Sequence, residues 1–128
     1  MPTPPPTPLP AEPTSLDAAA LARLRELDPE GRHGVLPRVL GAFEASLGRM
    51  LAQLAAELDS PQVAVVTSVA HTLKSSAASV GALRLSAACD EVERRLRGRG
   101  EPAQRHDVER LLAEGEAALA AVRAILRP

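Results

Sequence analysis

Apolar residues recur every three or four positions along most of this chain, and no stretch has the strict apolar–polar alternation of a half-buried strand. The longest such stripe lies in the segment Val35–Leu58, which we predict to be a helix. Pro37 falls in the first turn of this segment, where proline is tolerated. The stripe consists of Leu36, Leu40, Phe43, Leu47, Met50, Leu51, Leu54 and Leu58. The spacing predicts an all-α fold.

Turn and cap residues divide the remaining chain into further helices. Asp17 is the expected N-cap of the first helix, with Leu16 and Leu21 at the staple positions, and the turn Asp28-Pro29-Glu30-Gly31 ends it. The other predicted helices run from Pro61 to Val80, with Ser60 before it as cap, from Ala82 to Arg97, and from Pro102 to Leu126. Short connections favour antiparallel neighbours. We therefore expect an up-down antiparallel four-helix bundle with an additional N-terminal helix.

The N-terminal stretch differs in composition from the rest. Seven of the twelve prolines lie within Met1–Pro13, and proline in a helix interior removes a hydrogen bond and clashes with the preceding turn. We predict that residues 1–15 form an extended, disordered arm or linker, and that residues 16–128 form the bundle.

Composition limits the partners that this domain can have. The 16 acidic and 15 basic residues give a formal net charge of −1, and aromatic residues make up 1% of the chain. Nucleic-acid binding is not indicated, because base-stacking side chains and a basic excess are both lacking. No apolar run approaches the ~20 residues of a membrane span. The single Cys89 fits a reducing compartment, so we expect a cytoplasmic protein.

His71 stands apart from the apolar stripe of its predicted helix, which is formed by Val66, Ala70, Leu73, Ala77 and Val80. Its helical neighbours at three, four and seven positions are Ala64, Thr67, Ser68, Lys74, Ser75 and Ala78. All of these except Lys74 are small. The pattern predicts an exposed histidine on a low surface that a large partner can approach, and we interpret the small neighbours as a docking surface.

Lys74 is the only lysine in a chain with fourteen arginines. Lysine is a compact, rotatable point charge, whereas arginine is a planar fork. One turn from His71, its ammonium group could neutralise the oxygens of a phosphoryl group on the imidazole. We therefore single out Lys74 as a candidate phosphoryl-stabilising residue.

The segment around the histidine contains His71, Leu73-Lys74, Ser75-Ser76 and Gly81-Ala82, and it continues with Leu83–Cys89 and Glu91-Val92-Glu93. These residues resemble the histidine-containing phosphotransfer (HPt) domain of two-component phosphorelays. With the upstream turn Leu27–Gly31, the resemblance covers roughly Leu16 to Leu126. One departure is Ser75, because the family commonly has glycine after the lysine. The resemblance implies that His71 is the phosphoacceptor and that the partners are receiver domains of response regulators or of a hybrid sensor kinase. It also implies a monomeric carrier without a nucleotide site, whose Mg²⁺ belongs to the receiver.

Two other functions fit parts of the sequence. A sensor-kinase dimerisation and phosphoacceptor domain usually has an acidic residue directly after the histidine, whereas Thr72 follows His71 here. A noncatalytic helical adaptor would need the bundle alone. No carboxylate, cysteine or other histidine stands three or four residues from His71, so the sequence indicates neither a metal nor a general base beside it. His33, His106 and Cys89 are interpreted as structural or surface residues.

Overall fold

The computed structural model describes residues 16–128, and the predicted Pro-rich arm at residues 1–15 lies outside them. Within the described part the chain is all-helical and contains no strand. Its helices are α1 (Ala18–Glu26), α2 (Val35–Ala55), α3 (Val63–Val80), α4 (Leu83–Glu93), a π-helical turn (Arg94–Gly98) and α5 (Arg105–Leu126). The predicted fold, a helical bundle with an additional N-terminal helix, is confirmed.

The core lies between α2, α3, α4 and α5, with α3 packed most extensively on α4 and α2 on α5. The predicted stripe of α3 is fully inside, and so are Leu85, Cys89 and Val92 of α4. Gly115 of α5 faces Leu51 of α2 so closely that a β-carbon there would overlap the leucine side chain. Small residues therefore allow the helices of this bundle to approach closely.

The N-terminal helix is attached to the end of α3 by a specific contact. The Asp17 backbone N–H donates to the carbonyl oxygen of Gly81 at 2.8 Å. Gly81 has a φ of 83°, and a β-carbon at this position would lie 2.7 Å from the Asp17 nitrogen. Asp17 caps α1 as predicted, accepting from the Ala20 N–H at 3.1 Å, and Leu16 and Leu21 are both buried.

Two predicted boundaries around α3 are wrong. Helix α2 ends at Ala55 and not at Leu58, because the following turn closes with shorter-range bonds such as Glu57 N–H to Leu54 O. Helix α3 begins at Val63 and not at Pro61. The Glu57 carboxylate accepts from the Gln62 N–H at 2.9 Å, and Gln62 is thereby held in an extended conformation as N-cap.

The last two predicted helices also differ from the structure. The helix predicted from Ala82 to Arg97 is regular only over α4, and its last turn widens into the π-helical turn, where Leu96 remains buried as expected. Helix α5 begins at Arg105 and not at Pro102. Gln104 and Asp107 form a capping box there, in which the Asp107 carboxylate accepts from the Gln104 N–H at 3.0 Å.

Candidate functional site

His71 projects from the middle of α3, and its side chain is 61% exposed. The apolar stripe of α3 faces the core, and His71 lies beside this stripe on the exposed side of the helix. His71 is therefore at the edge of the α3–α4 interface. Within the described residues its Nε2 atom makes no hydrogen bond, whereas Nδ1 lies 2.6 Å from Oε2 of Glu93. The histidine is therefore held at one ring nitrogen and open at the other.

Glu93 reaches His71 from the last residue of α4, and its side chain is only 10% exposed. Its second oxygen, Oε1, accepts from Lys74 Nζ at 2.7 Å. The hydrogen bond from the Lys74 ammonium group is the largest influence on the Glu93 pKa and lowers it. Burial raises this pKa and the hydrogen bond from His71 lowers it, so the Glu93 pKa lies below its ordinary value. Glu93 is accordingly ionised at neutral pH.

The ionised carboxylate fixes the proton of the imidazole. A carboxylate has no hydrogen to donate, so the 2.6 Å contact requires Nδ1 to carry the proton and donate it to Oε2. In the neutral ring the lone pair is then on Nε2, the exposed nitrogen. The hydrogen bond to Glu93 therefore fixes the tautomer of the imidazole and leaves the nucleophilic Nε2 facing solvent.

Lys74 lies one turn after His71 and is partly exposed. Its Nζ bonds Glu93 and approaches Oδ1 of Asp90 at 3.7 Å, and the hydrogen bond to Glu93 is the main cause that raises the lysine pKa. The Ser86 hydroxyl of α4 donates to the Lys74 carbonyl oxygen at 2.8 Å. The backbone at Lys74 is thereby tied directly to α4.

The other residues predicted around His71 divide into two groups. Ala64, Ser68, Ser75 and Ala78 are exposed. Thr67 is buried, so its inclusion in an exposed docking surface is wrong. Its hydroxyl donates to the Val63 carbonyl oxygen at 2.7 Å, and this bond within the helix allows the side chain to be buried with its polar atom paired.

A groove with a volume of about 520 Å³ lies between the end of α2 and the start of α3. Ala64 and Ser68 line one side of it, and Gln53 and Ala56 line the other. The low surface beside His71 is thus continuous with a concave surface toward α2.

Glu93 is the residue of this site that helical spacing around His71 does not predict. The two residues are 22 positions apart, so helical spacing within α3 could not connect them. The sequence of α4 nevertheless indicates that Glu93 has a partner. Glu93 lies four positions after Cys89 and three before Leu96, on the buried face of the helix, and a buried carboxylate requires a partner.

The remaining chemistry-bearing residues lie apart from this site or are inert. Burial raises the pKa of the Cys89 thiol to about 12, so the thiolate nucleophile is suppressed. His33 and His106 are exposed and do not touch His71. Within residues 16–128 no group of three or more His, Cys, Asp or Glu side chains is arranged to hold a metal ion. No helix in this range is long and apolar enough to cross a membrane.

Fold and site together define a helical bundle that presents one exposed histidine, oriented by a carboxylate and accompanied by a lysine. A family model described as the Hpt domain matches residues 38–125. The chain belongs to the Hpt domain family, whose role is phosphotransfer in two-component signalling through interaction with receiver domains. Comparison with curated proteins and with solved structures gives no match.

Proposed function

We propose that this protein relays a phosphoryl group between the aspartates of receiver domains, with Nε2 of His71 as the acceptor and donor atom. The observation that carries the proposal is the 2.6 Å contact of Nδ1 with ionised Glu93, which leaves the lone pair on the exposed nitrogen. The family membership gives the class of reaction, and this geometry supports the choice of residue and atom.

In the forward step, the Nε2 lone pair attacks the phosphorus of an aspartyl phosphate. The N–P bond forms while the P–O bond breaks, and the aspartate leaves with the electron pair as a carboxylate. Because Nδ1 keeps its proton, the phosphorylated ring carries a positive charge. Glu93 lies against that proton and compensates the charge.

The same carboxylate supports onward transfer. A ring that remains protonated at Nδ1 leaves phosphorus as a neutral imidazole, which is a better leaving group than an imidazolate. The reverse step then regenerates the starting tautomer without a separate proton transfer. Glu93 thus acts as a positioning residue for both directions of the relay.

Lys74 is the proposed phosphoryl-stabilising residue, and Ala64, Ser68, Ser75 and Ala78 are the proposed docking surface. Lys74 shares the carboxylate with His71, so its ammonium group is already held within the site. Because these exposed side chains are small, a folded receiver can come close to Nε2 without steric hindrance. We propose that Mg²⁺ and the other groups that activate the aspartyl phosphate come from the receiver.

In this proposal the protein is a phosphocarrier and not an enzyme. It works as a monomer in the cytoplasm, does not insert into a membrane, and binds no nucleic acid. The lone Cys89, which is free and buried, supports a location where no disulfide is needed.

The experiment is to incubate the purified chain with a panel of receivers phosphorylated with a radioactive label. His71→Gln should remain folded and accept no label, whereas His106→Gln, which changes an exposed histidine elsewhere, should accept label at the wild-type rate. A noncatalytic adaptor would bind receivers equally with either variant and carry no acid-labile label. A kinase dimerisation domain would sediment as a dimer.

A further inference from the structure

A third side chain, and the second cation after Lys74, contacts the carboxylate that orients His71. Arg97, in the π-helical turn directly after α4, places Nη1 3.4 Å from Oε2 of Glu93, the same oxygen that accepts from His71. This distance is long for a charged hydrogen bond, whereas His71 and Lys74 approach the carboxylate at 2.6 Å and 2.7 Å. The Arg97 side chain is also 57% exposed, so it is the loosely held member of the cluster.

The other arginines of the turn are engaged away from the carboxylate. Arg94 pairs with Asp90 at 3.1 Å on the outside of α4. Arg95 points toward the start of α5 and bonds the fully buried Asp107. Among the arginines of this turn, Arg97 is therefore the one that contacts Glu93. Turns of π-helix are frequently found at functional sites, and this one directly follows the residue that holds the histidine.

Phosphorylation of His71 would change the charge balance of this cluster. The phosphoryl oxygens bring a charge of about −1.5 to −2, and the single positive charge gained by the Nδ1-protonated ring offsets only part of it. The site therefore gains net negative charge beside a carboxylate that is already ionised. Lys74 is shared between Glu93 and Asp90 and can compensate only part of that charge. A loosely bound guanidinium on the neighbouring turn has both the charge and the freedom to change partner.

We propose that Arg97 is a phosphoryl-binding residue of the phosphorylated state. When His71 carries a phosphoryl group on Nε2, the guanidinium leaves Oε2 of Glu93 and binds phosphoryl oxygens, while the Nδ1–Glu93 hydrogen bond stays in place. This rests on the proposed function only in that His71 is the phosphorylated residue.

The proposal has a consequence for the lifetime of the phosphohistidine. Hydrolysis passes through a loose, metaphosphate-like transition state, in which the N–P bond is largely broken, its electron pair has moved to the leaving imidazole, and the phosphoryl oxygens carry less negative charge than in the phosphohistidine. A guanidinium on the phosphoryl oxygens therefore stabilises the ground state more than the transition state. Its removal should accelerate hydrolysis.

The test uses the full chain with His33 and His106 replaced by Gln, so that His71 is the only histidine of the three. Potassium phosphoramidate is the probe, since it transfers its phosphoryl group to Nε2 as the P–N bond to ammonia breaks. Hydrolysis is followed by ³¹P NMR in the parent, Arg97→Ala, Arg97→Lys and the matched control Arg94→Ala. We expect hydrolysis at least threefold faster in Arg97→Ala than in Arg94→Ala, with Arg97→Lys between them.

A second readout separates phosphoryl binding from a merely structural role. The Arg97 Nε–H resonance, identified by its loss in Arg97→Lys, should shift on phosphorylation, while the Arg94 resonance stays in place. Equal hydrolysis rates in Arg97→Ala and Arg94→Ala, an unmoved Arg97 resonance, or a parent protein that takes no label at His71 would each overturn the proposal. No receiver is used, so failure of receiver transfer would count against the relay function alone.

Discussion

Glu93 of α4 holds Nδ1 of His71 of α3 at 2.6 Å, and the ionised carboxylate makes that nitrogen the proton donor. The contact joins residues 22 positions apart at the interface of the two most closely packed helices of the bundle. It determines which ring nitrogen is free. The proposed direction of phosphoryl attack, the role of Lys74 and the proposed movement of Arg97 all depend on this one carboxylate.

Glu93→Gln tests the role of the carboxylate charge. The amide has nearly the same shape and can still accept from Nδ1–H, but it cannot compensate a positive ring or hold Lys74 as an ion pair. A hydrogen bond to a charged group is worth roughly 1 to 1.5 kcal/mol more than a neutral one, so we expect the rate of phosphoryl transfer from a receiver to fall about tenfold, while circular dichroism shows an unchanged helix content. Stopped-flow transfer at the wild-type rate in Glu93→Gln would contradict the positioning role.

Lys74→Ala tests the phosphoryl-stabilising role. Lys74 is partly exposed, and the Glu93 carboxylate keeps its contacts with His71 and Arg97 when the lysine is removed, so we expect only a small decrease in the urea midpoint. Transfer should slow, and the defect should shrink at high salt, where screening weakens the wild-type interaction as well. Arg84→Ala is the matched control, because it removes an exposed cation that pairs with Glu114 at 3.0 Å, away from His71. Equal transfer rates in Lys74→Ala and Arg84→Ala at low salt would remove the lysine from the mechanism.

Ser75→Leu tests the docking surface. Ser75 is exposed one turn from His71, so a leucine there should leave the fold intact. Its larger side chain should sterically hinder the approach of a receiver to His71. We expect receiver transfer to fall at least tenfold, while phosphoramidate, a small donor, still labels the protein. Ser75→Gly should transfer at least as fast as wild type and cost roughly 0.5 kcal/mol of helix stability.

The comparison of the two phosphodonors, receiver and phosphoramidate, decides how the Ser75→Leu result is interpreted. If Ser75→Leu accepts from receivers at the wild-type rate, the partner docks elsewhere. If labelling by phosphoramidate falls equally, the substitution has disturbed the chemistry at His71 and not the approach of the partner.

Glu44→Gln tests how the C-terminal end of α5 is attached to α2. Hydrogen bonds from Arg127 and Arg123 lower the Glu44 pKa from 4.5 to about 2 in the folded protein. Because the folded pKa is depressed, the carboxylate stabilises the fold fully above the unfolded value and progressively less as pH falls through the folded one. The stability difference between wild type and Glu44→Gln should therefore be largest near pH 6 and narrow between about pH 4.5 and 2. A pH-independent difference in urea unfolding would contradict this assignment.

The sequence predicted the helices and their buried faces because both follow from local periodicity. The stripe of α3 and the inward residues Leu85, Cys89, Val92 and Leu96 are all buried as expected. The helix starts were less predictable, since a proline at Pro61 or Pro102 is compatible with a first turn. The start was decided by longer-range groups, namely the Glu57 carboxylate and the Gln104–Asp107 capping box.

In the site, too, local periodicity predicted some residues, whereas others depend on contacts between distant parts of the chain. The exposure of His71 and the position of Lys74 followed from spacing along one helix. Glu93 and Arg97 enter from another part of the chain, and their meeting with His71 depends on the register between α3 and α4 and on the widened π-helical turn. Periodicity within one helix contains no information on that register.

The central claim is that Nε2 of His71 is the atom that carries the phosphoryl group. It is tested most directly by long-range ¹H–¹⁵N correlation on ¹⁵N-labelled protein, with ³¹P coupling, after transfer from a phosphorylated receiver. The account predicts phosphorus coupled to Nε2 of His71 and a proton retained on Nδ1. Phosphorus on Nδ1, or on His33 or His106 with His71 unmodified, would contradict it.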